Sequence, residues 1–220
     1  RGPIVIKADG LAAGKGVVVA ETCEQAFEAL YRMLVKRDLG HAFNRVLIEE
    51  YLQGKEISVF GFVNGKRISS LVAACDYKRV GNSDTGPNTG GMGAYSPPDR
   101  SLWNIDTERK VNTEIIRPVL DALDERGTPY VGVLYVGLMI TNSGPKVIEF
   151  NCRFGDPETQ VVLPRLKNDL LEVMISTTIG DSFPEVLNWS PNACVGVVLT
   201  SGGYPDVYDV GHVINNLDVV

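Results

Sequence analysis

The sequence predicts an α+β fold arranged as two lobes, and three features of the 220-residue chain point to it. Short β-rich runs flank a single amphipathic helical segment in its opening stretch. Two tight turns, Asn64-Gly65 and Asn142-Ser143-Gly144, fold later β-rich runs back as antiparallel hairpins. Helical spacing of apolar residues recurs in separate blocks near 111–123, 157–166 and 168–179.

Pro3 to Ala8 is a β-rich run carrying Ile4, Val5 and Ile6, and Val17 to Ala20 is a second. Between them Asp9-Gly10-Leu11-Ala12-Ala13-Gly14-Lys15-Gly16 forms a loop of small residues around a lysine. Thr22 begins a helix, with Gln25 three residues on in capping-box spacing, and Ala26, Phe27, Leu30 and Leu34 give it an apolar face. Val46-Leu47-Ile48 is a third strand ending in Glu49-Glu50-Tyr51-Leu52, which closes a small lobe over 1–52.

A larger lobe is expected over 53–180. Ile57 to Val63 and Arg67 to Ala74 read as a hairpin about Asn64-Gly65. Residues 76–98 are polar and glycine-rich and fit neither period. Val111, Ile115, Ile116, Val119, Leu120 and Leu123 recur at helical spacing, with Pro118 expected to kink or interrupt the helix. Val131 to Ile140 is nearly continuous in apolar residues, as in a strand covered on both faces, and the second hairpin continues through Lys146 to Asn151. Helices follow near 157–166 and 168–179, and Cys194 to Leu199 is a further strand in a segment, 181–220, that reads as the start of a C-terminal domain. The opening Arg1-Gly2-Pro3 lacks a methionine, and Asp218-Val219-Val220 stops within folded-looking sequence, so the chain reads as a fragment of a longer polypeptide.

Composition narrows the function class. Hydrophobic residues at 44% and charged residues at 22% are ordinary for a soluble enzyme. No apolar run approaches the roughly 20 residues of a membrane span, and no signal peptide opens the chain. A net charge of −6 disfavours a nucleic-acid surface. Cys23, Cys75, Cys152 and Cys194 lack ligand spacing and read as reduced thiols of a cytoplasmic protein.

Five constellations carry chemistry. Gly10, Gly14 and Gly16 let backbone N–H groups approach a polyphosphate, and Lys15 adds charge. A Walker A loop would need Ser or Thr after the lysine and then a helix; here Gly16 and a strand follow, so the loop joins two strands like a flap. Taken alone it also fits a hairpin tip with an exposed lysine. Lys7 sits in a β-branched strand, where it either reaches solvent or points at an anion. The strand exit Glu49-Glu50-Tyr51-Leu52 can offer backbone groups to an adenine edge, with Glu56 accepting from ribose hydroxyls; a solvated strand end is the alternative. Alternation puts Glu149, Asn151 and Arg153 on one face of a strand and Ile148 and Phe150 on the other. Glu149 and Asn151 can reach a Mg²⁺, and Arg153 can stabilise a transferring phosphoryl group; a polar edge strand competes with that reading, and the apolar Val147, Ile148 and Phe150 are taken as buried against it. Asp76-Tyr77-Lys78-Arg79 and the segment Thr85-Gly86-Pro87-Asn88-Thr89-Gly90 suit the anionic groups of a substrate, since a long irregular segment inside a domain is more often functional than idle.

With these stretches assembled, the chain resembles the ATP-grasp superfamily and, within it, the phosphoribosylamine–glycine ligases. VIKADGLAAGKGVVVA, LIEEYLQGKEIS, GVLYVGLMI and PKVIEFNCRFGDPETQ carry the resemblance, and DTGPNTGGMGAYSP with RFGDPETQ is specific to that branch. The resemblance implies an ATP-grasp fold, with two α+β lobes clasping the nucleotide and the start of a C-terminal domain. It further implies ATP-dependent joining of glycine to 5-phosphoribosylamine through glycyl phosphate, giving glycinamide ribonucleotide, ADP and phosphate in purine biosynthesis. By position, Lys7 and Lys15 look like the phosphate lysines, Glu50 and Leu52 the adenine-edge backbone, and Glu56 the ribose acceptor. Glu149 and Asn151 look like ligands of Mg²⁺ or Mn²⁺ and Arg153 like the phosphoryl-stabilising arginine, while Asp76, Lys78 and the 85–90 segment match substrate-side positions. An N-terminal domain of the same polypeptide is expected to share the substrate site. The competing readings are another ATP-grasp ligase, such as an N5-carboxyaminoimidazole synthetase or a biotin carboxylase, and a nucleotide-binding module without catalysis.

Overall fold

The computed structural model describes residues 2–10, 16–37, 45–83, 85–180 and 182–217, and the chain divides into two units, Arg1–Gln53 and Gly54–Val220. In the first, β1 (Ile4–Ala8) lies between β2 (Val17–Ala20) and β3 (Val46–Glu50), all antiparallel. Helix α1 (Cys23–Leu30) starts where extended Thr22 accepts the Gln25 N–H and the Gln25 side chain accepts the Thr22 N–H. It continues as a π-helical turn over Tyr31–Lys36 and stops at Arg37, which is left-handed at φ 55°.

The helix covers one sheet face, burying Ile6, Ala20, Ala29 and Met33 beside Ala26, Leu30 and Val46. That stripe differs from the expected one: Phe27 is 73% exposed and Leu34 also faces outward. The sequence offers two neighbouring apolar stripes, and the one containing Ala26 and Ala29 lets the helix lie close to a narrow sheet. Directly opposed residues share a face, so Val5, Lys7, Val17, Val19, Leu47 and Glu49 lie on the other side.

The second unit holds a seven-stranded sheet ordered β11-β10-β4-β6-β9-β12, with β5 attached to β4. Its strands are β4 (Lys55–Asn64), β5 (Arg67–Ile68), β6 (Val72–Asp76), β9 (Gly93–Ser96), β10 (Val131–Thr141), β11 (Gly144–Asn151) and β12 (Cys194–Val197). A separate hairpin pairs β7 (Arg79–Gly81) with β8 (Thr85–Asn88). On one sheet face Ile57, Val59, Val136 and Leu138 pack against Val111, Ile116 and Leu120. Those three come from a helical segment built of α2 (Ile105–Lys110), a π-helical turn (Val111–Ile116) and α3 (Arg117–Glu125). On the opposite face Phe60, Val72, Ala74 and Tyr135 pack against Val161 and Val162 of α4 (Thr159–Val162). A 3₁₀ turn (Leu163–Arg165) follows α4, and α5 (Leu170–Ile179) buries Val173 against Phe62 and Leu187. Cover on both faces is why the centre of β10 reads as unbroken apolar sequence.

Several expectations are revised here. Pro118 does not break its helix: it falls in the first turn of α3, just after a π-helical turn in which the Arg117 N–H reaches back to Asn112 O. The return strand of the first hairpin is split between β5 and β6, because Ser69 turns its hydroxyl to the Phe62 N–H and Ser70 pairs with Glu185. The irregular 76–98 stretch holds three short strands, and β9 is inside the sheet with Ala94 and Ser96 buried. β12, read above as belonging to a further domain, pairs antiparallel with β9 from Cys194↔Ser96 to Val197↔Gly93. Among the described residues no helix is long and apolar enough to cross a membrane.

Candidate active site

In the first unit the Lys7 side chain, 13% exposed, points at Glu49 with Nζ 2.7 Å from Oε2. Val5 opposes Glu49 and Lys7 opposes Leu47 in the β1–β3 register, so the pair runs diagonally across the face that α1 leaves uncovered. Glu50 pairs with Ile4 at the last rung, and Tyr51 and Leu52 continue beyond the sheet. Their backbone groups are thus not used by the β1–β3 ladder, as an adenine edge requires. At the mouth of the 9–16 loop the Ala8 N–H donates to Gly16 O, and Asp9 pairs with Arg45 at 2.6 Å. Gly14 and Lys15, expected to hold phosphate, lie outside the described residues.

The second unit gathers most of the remaining candidates. Register places Glu56 opposite Met139, Ser58 opposite Gly137 and Ala74, Gly137 opposite Glu149, and Tyr135 opposite Asn151. Glu56, Ser58, Asp76, Tyr135, Glu149 and Asn151 therefore share one sheet face. Asn151 Nδ2 donates to Glu149 Oε1 at 3.1 Å. A side chain at position 137 would come within 3.4 Å of Glu149 Cγ, so Gly137 leaves room beside the carboxylate.

Two expectations about β11 change. The register slips between Gly137 and Leu138, leaving Ile148 as an extra residue, and the strand is the sheet edge. Val147 and Phe150 are accordingly 37% and 38% exposed rather than buried. Arg153 lies past the end of β11, and its Nη1 donates to Phe154 O at 2.8 Å. Strand alternation therefore does not aim it beside Glu149 and Asn151.

Lys78 lies between two acids of this face, bonded to Glu56 Oε1 and 3.7 Å from Asp76 Oδ2. The Asp76 side chain is only 5% exposed. Glu56, expected to meet ribose, is thus engaged by a cation in this structure. Burial pulls the Lys78 ammonium below its ordinary pKa, against the attraction of Glu158 and Glu149.

Glu158 was missed as a candidate. It is 2% exposed, and its Oε1 accepts from Ser58 Oγ at 2.8 Å and from Tyr135 OH at 3.0 Å. Any side chain at Gly155 would collide with its other oxygen. Burial, followed by the Glu158 charge, pushes the Tyr135 phenol far above its ordinary value. An acid beside Pro157 at a helix start reads as a dipole partner, and only the fold brings Ser58 and Tyr135 to it. Among the described residues the acids Glu56, Asp76, Glu149 and Glu158 gather at this face, and register adds Lys146, opposite Met139, to Lys78, so acids outnumber lysines there.

Thr85, Gly86, Pro87 and Asn88 form β8, an exposed strand with Gly86 left-handed at φ +83°. Arg79 of β7 donates from Nη1 to Gly86 O at 3.3 Å. Thr89 then bonds the Lys78 carbonyl twice, through its N–H at 2.7 Å and its hydroxyl at 2.8 Å, and the Gly91 N–H donates to Thr89 Oγ1. The substrate-side segment is therefore tied to the backbone of Lys78 itself. Among the described residues no group of three or more His, Cys, Asp or Glu could hold a metal. A pair of hard oxygens, Glu149 and Asn151, instead fits a Mg²⁺ whose remaining positions are filled by phosphate and water.

Residues 1–159 match the family described as the phosphoribosylglycinamide synthetase, ATP-grasp (A) domain. The phosphoribosylamine–glycine ligase of Halalkalibacterium halodurans is 54% identical over 216 residues, covering 98% of this chain and 50% of that protein. The Vigna unguiculata enzyme of the same name is 50% identical over 218 residues, covering 98% of this chain and 70% of that protein. The crystal structure of phosphoribosylamine–glycine ligase from Thermotoga maritima superposes with a TM-score of 0.84 at 34% identity, covering 95% of this chain and 52% of that one. A biotin carboxylase domain from Hydrogenobacter thermophilus shares the fold at 17% identity and a TM-score of 0.61, covering 89% of this chain and 41% of that one. The chain spans about half the length of the bacterial relatives it matches.

Proposed function

The chain belongs to the phosphoribosylglycinamide synthetase ATP-grasp family, and on that premise we propose that it carries the ATP-handling part of a ligase joining glycine to 5-phosphoribosylamine. The observation that carries this reading is the Glu149–Asn151 pair, on a sheet face shared with Glu56, Asp76 and, through their ion pairs, Lys78. The proposed lobes are 1–52 and 53–180, with 181–220, whose β12 joins the sheet of the second unit, leading on towards a C-terminal domain, and an N-terminal domain sharing the amine site. The reading places the protein in the cytoplasm.

In the first unit Lys7, Lys15 and the backbone of Gly14 and Gly16 are assigned to the ATP phosphates. The Glu49–Leu52 segment is assigned to adenine. Glu56 is assigned to ribose, exchanging Lys78 for a hydroxyl when nucleotide binds. Glu149 and Asn151 would hold Mg²⁺ or Mn²⁺, which draws charge from phosphate oxygens. Arg153 stabilises the phosphoryl group in flight, which requires it to leave the Phe154 carbonyl.

The reaction balances in two steps. A glycine carboxylate oxygen attacks the γ-phosphorus and the bond to ADP breaks, giving glycyl phosphate. The phosphoribosylamine nitrogen then attacks the acyl carbon, loses a proton and expels phosphate. The negative face around Asp76 and Glu158 favours the glycine ammonium over a second anion, while Lys78 meets the anionic end of a substrate.

The test is ADP release by the full-length protein. ADP should be released over repeated turnovers only when glycine, phosphoribosylamine and Mg²⁺ are all present. Equal release without either substrate, or release driven by bicarbonate instead, would remove this reading in favour of another ATP-grasp chemistry.

A further inference from the structure

We propose that Tyr204 is a positioning residue for Thr89 and Gly90, the end of the substrate-side segment 85–90, and for the Gly91–Met92 link that follows, an inference that rests on the ligase reading above. Tyr204 OH accepts the Gly90 N–H at 2.9 Å. Its ring is braced edge-on by Tyr208, with centroids 5.2 Å apart and planes at 69°. Gly90 has no room to spare: a β-carbon there would stand 3.2 Å from the Tyr204 oxygen.

The neighbouring residues show what this contact locks. Gly91 is left-handed at φ +121°, and a side chain there would collide with Pro157, which precedes Glu158. Met92 accepts from the Val198 N–H at 3.0 Å and donates to Tyr77 O at 2.7 Å. Thr89 is doubly bonded to the Lys78 carbonyl. The segment is thus held by the Tyr77–Lys78 backbone on one side, by Pro157 on another and by Tyr204 and Val198 on a third. A displacement of Gly90 is passed through Thr89 to Lys78, whose ammonium bridges Glu56 and Asp76. Tyr204 acts through these residues, its hydroxyl fixing where Lys78 presents its charge.

Nothing local in the sequence announces this role. Tyr204 lies over a hundred residues from Gly90, within a polar turn where Tyr204 N–H donates to Ser201 O. The oxygen accepts from Gly90 and keeps its own proton for donation, so the contact costs the tyrosine none of its hydrogen-bonding capacity as a donor.

Tyr204→Phe in the full-length protein removes the acceptor and keeps the ring against Tyr208, and Tyr208→Phe is the control. Loss of one neutral hydrogen bond should raise KM for glycine or phosphoribosylamine about fivefold. KM for ATP, which reaches Lys78 only through Glu56, should change less than the substrate KM, the melting temperature should stay put, and amide exchange at Gly90 should quicken. Tyr208→Phe should leave every value unchanged. Unaltered substrate KM values in Tyr204→Phe, with or without faster exchange, would overturn the proposal. So would a parallel rise in all three KM values with a lowered melting temperature, since that marks a purely structural tyrosine. A wild-type protein without glycine- and phosphoribosylamine-dependent ADP release would instead remove the ligase reading itself, and this proposal with it.

Discussion

A carboxylate buried as deeply as Glu158 needs donors on its oxygens, and Ser58 and Tyr135 supply them from two adjacent strands. Their oxygens are also 2.8 Å apart, but each hydroxyl has one proton, so while both donate to Glu158 neither donates to the other. Tyr135→Phe removes one donor without changing the packing of the ring on Phe60. The expected outcome is a loss of about 1–3 kcal/mol in denaturant unfolding, the cost of leaving a buried acceptor short. A loss of only a few tenths would mean that Ser58 alone satisfies the acid. That Glu149 and Asn151 share a face was legible in the sequence because their spacing of two survives on β11 up to its end. Glu158 was not, because its partners belong to β4 and β10 and no spacing rule connects them. The strand face expected for Arg153 is revised for a related reason: alternation stops where the strand stops, and its guanidinium bonds a neighbouring carbonyl.

Local chemistry specified some elements and tertiary packing decided others. Thr22 and Gln25 state their helix start outright, and both halves of the capping box form. Thr22→Ala should cost about 1 kcal/mol, read as faster amide exchange in α1 with β10 and β4 unaffected. Uniform acceleration across both units would show that the cap supports more than its own helix. The hairpin turn was legible because Gly65 takes the positive φ, +60°, that a primed turn demands. Asn64 pairs with Arg67, however, so the turn is centred on Gly65-Lys66, one residue later than expected. The strands within 76–98 were hidden because each is short and glycine-bearing, and β9 is recognisable only once β6 and β12 flank it. The bulge at Ile148 was equally silent, since a single extra residue leaves no mark on an apolar run. On α1 the pattern allowed two stripes, and closeness of approach, not hydrophobicity, chose the one with alanines.

At the scale of the molecule, each of two separately cored units carries residues that the proposed function assigns to ATP. The first supplies Lys7 and the β3 exit, and the second supplies an acidic face with Lys78 and the Glu149–Asn151 pair. The central claim is that these residues bind a metal-bound nucleoside triphosphate. Isothermal titration of a non-hydrolysable ATP analogue, with and without Mg²⁺, tests it on this chain and on its Glu149→Gln variant. Glutamine keeps the shape and removes the charge that a hard cation needs. The account expects saturable binding that requires Mg²⁺ in the wild type, weakened at least about tenfold in the variant by loss of one charged ligand. Equal Mg²⁺-dependent affinity in both proteins, or no binding by a chain that melts cooperatively, would contradict it.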